Sequence, residues 1–430
     1  MTYKMLEPSN KYCRAYFTDE DIAMLETVAK FVNKEVMPRR QDLEGGWHRD
    51  EQLSEATIDE LYEGLVKLGV QKANIPVQHG GLGLSFLSRI AVAEEISRGD
   101  CGLATDVGKI HWVIGALVAA KRDDLLAELA PKLIGDDPWT ACVCISEPGG
   151  GANIEDPTQE GRSITTIAKD EGDSWVLKGH KIWPGPSGPS EVFQRPKRKG
   201  ILGYLTVATT DPNQGRDGIG LFWVPDGTPG LRFSNPFEKM GMSYTDRNCE
   251  IWYEDVRIPK EYRLAGPGKD ADILHFAIVG AGRLVGGARC VGVAAAMFEL
   301  GLNWTANRDI VGKPVRERSM FAGILGELAR DIEASRAYYL QTAYYMTHPE
   351  IYGPPWSLPQ VARCSAARSM AADTAIKVGN KVMELMGSYG YVFESNLEKY
   401  LRDIKIIQLW LGGPQRDRLD VALGYYPFKW

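Results

Sequence analysis

The sequence predicts an α+β protein with a helical N-terminal domain, a central antiparallel β-domain and a C-terminal helical bundle. Three observations carry that reading. Apolar residues recur at helical spacing to about residue 140. Short β-branched and aromatic runs cut by Gly, Pro and Asp then take over, and helical spacing returns after Pro259. The expected domains are 1–140, 141–258 and 259–430.

The first helix follows Thr18, an N-cap residue with acids behind it in TDEDIAMLETVAKFVNKEVMP; Glu51 to Leu68 and Ser85 to Arg98 repeat the pattern, with GGLGL as a turn between them. WTACVCISEP, SITTIAKDEGDSWVLKGHKIW, YLTVATTD, GIGLFWVP and CEIWYEDVRIP read as strands. Among them PGPSGPSEVFQRPKRKG, Pro184 to Gly200, is Pro/Gly-rich and then basic, the composition of an exposed loop. Long amphipathic segments such as MFAGILGELARDIEASRAYYLQTAYYMT then supply the bundle.

A net charge of −6 argues against nucleic acid or an anionic membrane as the main partner. The seven cysteines are scattered, odd in number and without a CxxC pair, which fits free thiols in a reducing compartment and no zinc site. The N-terminal residues have neither an apolar signal core nor a transit-peptide pattern. The longest mostly apolar region, near Phe276 to Leu302, is interrupted by Arg283 and Arg289. The expectation is a soluble cytoplasmic protein without membrane insertion.

CISEPGGGAN, GHKIWP, YEDVRIPKEYRL, NRDIVGKP and MELMGSYGYVFESNLEKYLRDIKIIQLW, in this order within an α–β–α chain, resemble the acyl-CoA dehydrogenase family over roughly residues 18 to 420. The resemblance implies FAD as cofactor, an acyl-CoA substrate, an electron-transfer flavoprotein as candidate electron acceptor, and a homotetramer. It places Ser146 beside the flavin ring, Gly151 near the phosphates and Trp183 against the isoalloxazine. Arg308 would reach the pyrophosphate of a neighbouring subunit's FAD, as suits a guanidinium. Ser319 and Gly387 fall on the same cofactor side, Ser319 where a glutamine often holds the adenine part. Arg247 and Arg283 match positions serving the acyl-CoA channel and the base region. Read without the resemblance, Trp183 is a β-domain core residue and Arg308 belongs to a solvated helix face.

The departures from the family pattern are equally specific. Pro184-Gly185-Pro186 stands where Ile-Thr-Asn usually follows the tryptophan, so the threonine that hydrogen-bonds the flavin edge is missing. Ala152-Asn153 replaces Ser-Asp. Most important, Trp410-Leu411-Gly412-Gly413 stands where the family commonly reads Tyr-Glu-Gly-Thr, and that glutamate is the general base. Leucine accepts no proton. Members with the base on another helix carry it directly before the arginine matched by Arg283; this chain has Gly282 there. Leu411 would keep only its backbone N–H, one of the family's thioester-polarising donors.

A replacement base is sought in GDCGLATDVGKIHW, which matches the far side of the acyl pocket. Asp106 is the first candidate, because some relatives acting on alicyclic acyl-CoAs use an aspartate from this segment; a surface or N-cap aspartate is the plain alternative. Lys109 and His111 are placed on the substrate side, although a packed helix histidine is the ordinary reading of His111. The resulting expectation is an FAD-dependent dehydrogenase for an unusual acyl-CoA, with cyclic, conjugated and carboxylated groups all open. Two alternatives stand beside it: a non-oxidative flavin-containing lyase of the decarboxylase or desulfinase type, and a catalytically silent binding or assembly paralogue.

Overall fold

Helix α1 (Asp19–Phe31) begins where Thr18 caps it: the Thr18 hydroxyl accepts from the Asp21 N–H at 3.2 Å, and the Asp21 carboxylate accepts from the Thr18 N–H at 3.0 Å. The computed structural model describes residues 3–44, 50–150, 160–189, 192, 194 and 197–426. Among its longer helices, α2 (Glu51–Lys67), α3 (Phe86–Gly99), α4 (Cys101–Ala119) and α5 (Asp123–Leu133) complete the N-terminal part. Asp100 caps α4 by accepting from the Leu103 N–H at 2.7 Å, and its other oxygen accepts from Lys399 Nζ at 2.5 Å. That bond ties α4 to the C-terminal helices.

Strands β1 (Trp139–Cys144), β2 (Ile167–Asp170), β3 (Ser174–Ile182), β4 (Gly200–Thr209), β5 (Ile219–Pro225), β6 (Leu231–Phe233) and β7 (Glu250–Pro259) form one sheet. Its order is β1-β4-β2-β3-β7-β6, with β5 also on β4. The β3–β7, β4–β5, β6–β7 and β2–β3 pairs are antiparallel, whereas β1 and β2 meet β4 in parallel. Alternation within a strand reports its faces but not the direction of its neighbour, so those parallel contacts were not foreseeable.

A π-helical stretch, Leu274–Gly280, leads into α6 (Ala281–Asn307). Then come α7 (Ser319–Met346), α8 (Leu358–Met386), α9 (Leu397–Leu409) and α10 (Gly413–Tyr425). Helix α6 crosses α3 closely because Gly292 has no side chain; a Cβ there would overlap the Glu94 carbonyl oxygen. Two helices, Cys101–Ala119 and Lys269–Asn307, have the length and composition of a membrane span, but 83% of each window is buried within the fold. They are core helices.

One apolar core unites the N-terminal helices with α6 to α9. A second joins α4, α5, β1, β4, β5 and the π-helical stretch, and Leu411 packs against it. The site lies along the seam between them.

Candidate active site

The turn after α9 has an unusual backbone. Leu411 (φ 49°), Gly412 (φ 98°) and Gly413 (φ 67°) are consecutively left-handed. For leucine this conformation costs roughly 1–2 kcal/mol, so something must hold it. Two buried arginines do. Arg283 Nη2 donates to the Leu411 carbonyl oxygen at 3.2 Å, and Arg368 Nη1 donates to that of Trp410. Arg368 is balanced by Asp417 at 2.6 Å and Arg283 by Asp420 at 2.5 Å, with Ser365 Oγ accepting from Arg283 at 2.9 Å. Burial raises the Asp417 carboxyl, with both arginines opposing it.

This placement corrects the expectation for Arg283. It is 2% exposed and its terminal nitrogens are engaged within the protein. It shapes the turn from behind instead of meeting a substrate.

Gly282 and Leu411, the two positions at which the resemblance leads one to expect a carboxylate, lie together. A Cβ on Gly282 would lie 3.0 Å from Leu411 Cδ1 and 3.2 Å from Trp112 Cζ2. Leucine, glycine and an indole therefore form one apolar surface where the family carries a base.

Beside that surface is a buried charged group. Lys109 lies one helical turn before Trp112, and its Nζ stands 5.0 Å from the Trp112 ring centroid and 4.5 Å from that of Trp410. Asp246 Oδ1 is 3.9 Å away, and Asp246 Oδ2 is 3.6 Å from Lys239 Nζ. Asp246 is fully buried, and among the described residues neither carboxylate oxygen accepts a hydrogen bond. Burial pulls Lys109 below the ordinary lysine value; Asp246 opposes this and the nearby Arg289 charge adds to it. Lys239 is lowered as well, again chiefly by burial.

Asp246 also joins this group to the far wall. Pro184 to Gly188, expected as part of an exposed loop, are buried. A Cβ on Gly185 would overlap Asn248 Nδ2 and lie 2.5 Å from Asp246 Oδ1, so glycine is required by close approach. Trp183, immediately before this loop, has φ 70° and is 54% exposed, its ring 4.4 Å from Phe237. The reading of Trp183 as a core residue is thus excluded. Ser146 is adjacent, its carbonyl accepting from the Ile182 N–H at 2.9 Å.

Glu147 anchors the glycine segment behind Ser146 by accepting from Lys181 Nζ at 2.7 Å and the Thr165 and Thr166 N–H groups at 2.7 and 2.9 Å. Burial opposes its ionisation, but Lys181 and these hydrogen bonds hold it down to about 2. Gly149 is exposed, and a Cβ there would meet nothing. Among the described residues, neither conformation nor packing demands that glycine. Gly151 lies outside the described residues.

The remaining candidates are dispersed. Asp106 is 1% exposed and gripped at both oxygens by Arg198, at 2.5 and 2.7 Å, over the Tyr62 ring. Accepting a substrate proton would break two charge-assisted hydrogen bonds, so the expectation of Asp106 as base is corrected. Arg247 pairs with Glu55 and, at 3.7 Å, with Glu51 on α2, which joins the β-domain to the N-terminal helices. His111 Nε2 lies 2.7 Å from the Val70 carbonyl oxygen, and burial with the Arg89 charge lowers the ring to about 4, so it is neutral at pH 7. Arg308, Ser319 and Gly387 are all exposed and away from the Lys109 group, with Arg308 at the end of α6 before the hairpin Asp309–Pro314.

Sequence reasoning missed Asp246, Lys239, Arg198 and Arg368. Only Asp246 left a trace, as the neighbour of Arg247 in YTDRN.

Comparison with known proteins supplies the frame. Family models for the acyl-CoA dehydrogenase N-terminal, middle and C-terminal domains match residues 18–134, 142–256 and 277–424. The chain is 26% identical over 401 residues to the human mitochondrial short-chain specific acyl-CoA dehydrogenase, covering 93% of this chain and 88% of that protein. It is 25% identical over 414 residues to the cyclohex-1-ene-1-carbonyl-CoA dehydrogenase of Syntrophus aciditrophicus, covering 94% and 89%. The solved butyryl-CoA dehydrogenase of Megasphaera elsdenii superposes with a TM-score of 0.78 at 24% identity, covering 94% of this chain and 98% of that one. At that identity the likeness speaks to the fold.

Proposed function

Because the chain belongs to the acyl-CoA dehydrogenase family, whose members are flavoenzymes acting on CH–CH bonds, we propose that it oxidises an unusual acyl-CoA with FAD and takes the substrate proton on Lys109. The carrying observation is the buried Lys109 amine between Trp112 and Trp410, beside a turn that has lost its carboxylate. Exposed Trp183 and the unobstructed backbone at Gly149 fit an isoalloxazine and its phosphates. Beside Trp183, Asp246 and Asn248 fill the space next to Gly185 with polar groups.

Bound FAD supplies the two-electron acceptor, and an electron-transfer flavoprotein is the proposed outlet. Lys109, its proton affinity reduced by burial, acts in the amine form. It removes a proton next to the thioester, or one conjugated with it through a double bond. The ammonium so formed is held by Asp246 at 3.9 Å and by the two indole faces. The Leu411 N–H donates to the thioester oxygen, its direction fixed by the arginines behind the turn. Cyclic, conjugated and carboxylated acyl groups all fit this reading, and a cyclohex-1-ene-1-carbonyl-CoA dehydrogenase is among the relatives at 25% identity.

The test is rapid mixing of the holoenzyme with a panel of acyl-CoAs. Flavin bleaching should rise with pH through a value below that of an ordinary lysine. Lys109→Met should slow bleaching by about 10²–10⁴-fold while thioester binding persists. Wild-type bleaching in that variant would remove Lys109 from the reaction. The apolar Leu411–Gly282–Trp112 surface favours one second reading, elimination of a carboxylate or sulfinate group without a base; it would show as turnover without bleaching.

A further inference from the structure

A cavity of about 180 Å³ lies behind Trp112, among α3, α4, the π-helical stretch, α6 and the end of α7. Its walls are mostly apolar, with Trp112, Phe276 and Ala281 among them, and Asn74, Arg89, His111 and Thr347 supply the polar part. No acidic residue lines it.

Three of these residues carry an unanswered polar atom. Arg89 Nε, Asn74 Oδ1 and Trp112 Nε1 are each buried without a hydrogen-bond partner among the described residues. The Asn74 amide is oriented, because its Nδ2 donates to the His111 carbonyl oxygen at 2.8 Å. The Arg89 side chain makes no ion pair or hydrogen bond among the described residues; its guanidinium stands 5.4 Å from the Phe86 ring. Burial alone lowers it to about 10, with no carboxylate to offset the effect. Arg89 is half-buried with its Nε out of contact with solvent, so among the described residues it faces the apolar cavity without a counter-charge.

We propose that this cavity is a carboxylate subsite that seats the distal carboxylate of a dicarboxylic acyl group on Arg89. A carboxylate matches a guanidinium geometrically, and the Trp112 Nε1–H offers a further donor. The apolar walls take the methylene chain. The subsite rests on the reading of an acyl-CoA at the Leu411 turn, since Trp112 and Ala281 border both places.

The experiment compares two CoA thioesters of equal carbon count, one ending in methyl and one in carboxylate, by perturbation of the holoenzyme's flavin spectrum. The carboxylate should bind about tenfold tighter or more, the scale of a charge-assisted hydrogen bond. Arg89→Gln should abolish that preference and leave the methyl-ended thioester unchanged. Equal binding of the two by the wild-type protein overturns the proposal without any variant, as does a preference that survives in Arg89→Gln. A free dicarboxylate that raises the melting temperature, while neither thioester binds, overturns both the acyl-end assignment and the acyl-CoA reading. Binding of the methyl-ended thioester alone overturns only the subsite.

Discussion

Two charge-assisted hydrogen bonds hold the Asp106 carboxylate, and both partners are about 2% exposed at their side chains. Removing one charge would strand the other, at a typical cost of about 3–5 kcal/mol. Asp106→Asn is therefore expected to lower stability on that scale in denaturant titration, with turnover per folded molecule nearly unchanged. Adding Arg198→Met should recover part of the loss. A loss of activity of about a hundredfold at normal stability would return Asp106 to the reaction. At this scale the sequence was only partly readable. The unusual acid at 106 and the leucine at 411 were visible, but Arg198 is 92 positions from its partner and sits in a basic run that resembles solvated surface. Periodicity carries no signal for such a pair. The same holds for Lys109, whose significance comes from Asp246 and Trp410, each far along the chain.

At the scale of the element, the segment after Trp183 differs most from its expected form. Pro/Gly-rich composition fits a loop, and it is one; its burial comes from Asn248 and Asp246 filling the space beside Gly185. Gly185→Ala should cost about 1–3 kcal/mol through overpacking and, by pushing Asp246 aside, weaken flavin retention. Gly149→Ala is the matched control, because its Cβ meets no protein atom. It should leave stability of the flavin-free protein unchanged, so any loss of FAD affinity there reports contact with the cofactor. A normal flavin affinity in both variants would separate this wall from the cofactor. The helices were easier to read: Thr18, followed by a first turn of acids, marks the start of α1 by local chemistry alone.

Across the whole molecule, the helical–β–helical order was legible because the spacing of apolar residues changes twice, near residue 140 and again after Pro259. The parallel contacts of β1 and β2 with β4 were not, since strand direction follows from connections around the sheet. Surface features bear on assembly. The hairpin after Arg308 presents Val311 at 94% exposure, and Tyr389 and Tyr391 are also well exposed. Such apolar surface favours a dimer or a dimer of dimers. Light scattering should give that state for the FAD-bound protein. If Arg308 reaches a neighbour's cofactor, Arg308→Ala should weaken FAD by about 1.5–3 kcal/mol. A monomer that retains FAD fully would contradict both expectations.

The arginines behind the Trp410–Gly413 turn grip main-chain oxygens, which every residue possesses. Those two bonds therefore hold the turn whatever the side chain at position 411. Position 411 acts as a socket: a single codon change swaps what is plugged into it while the mounting stays in place.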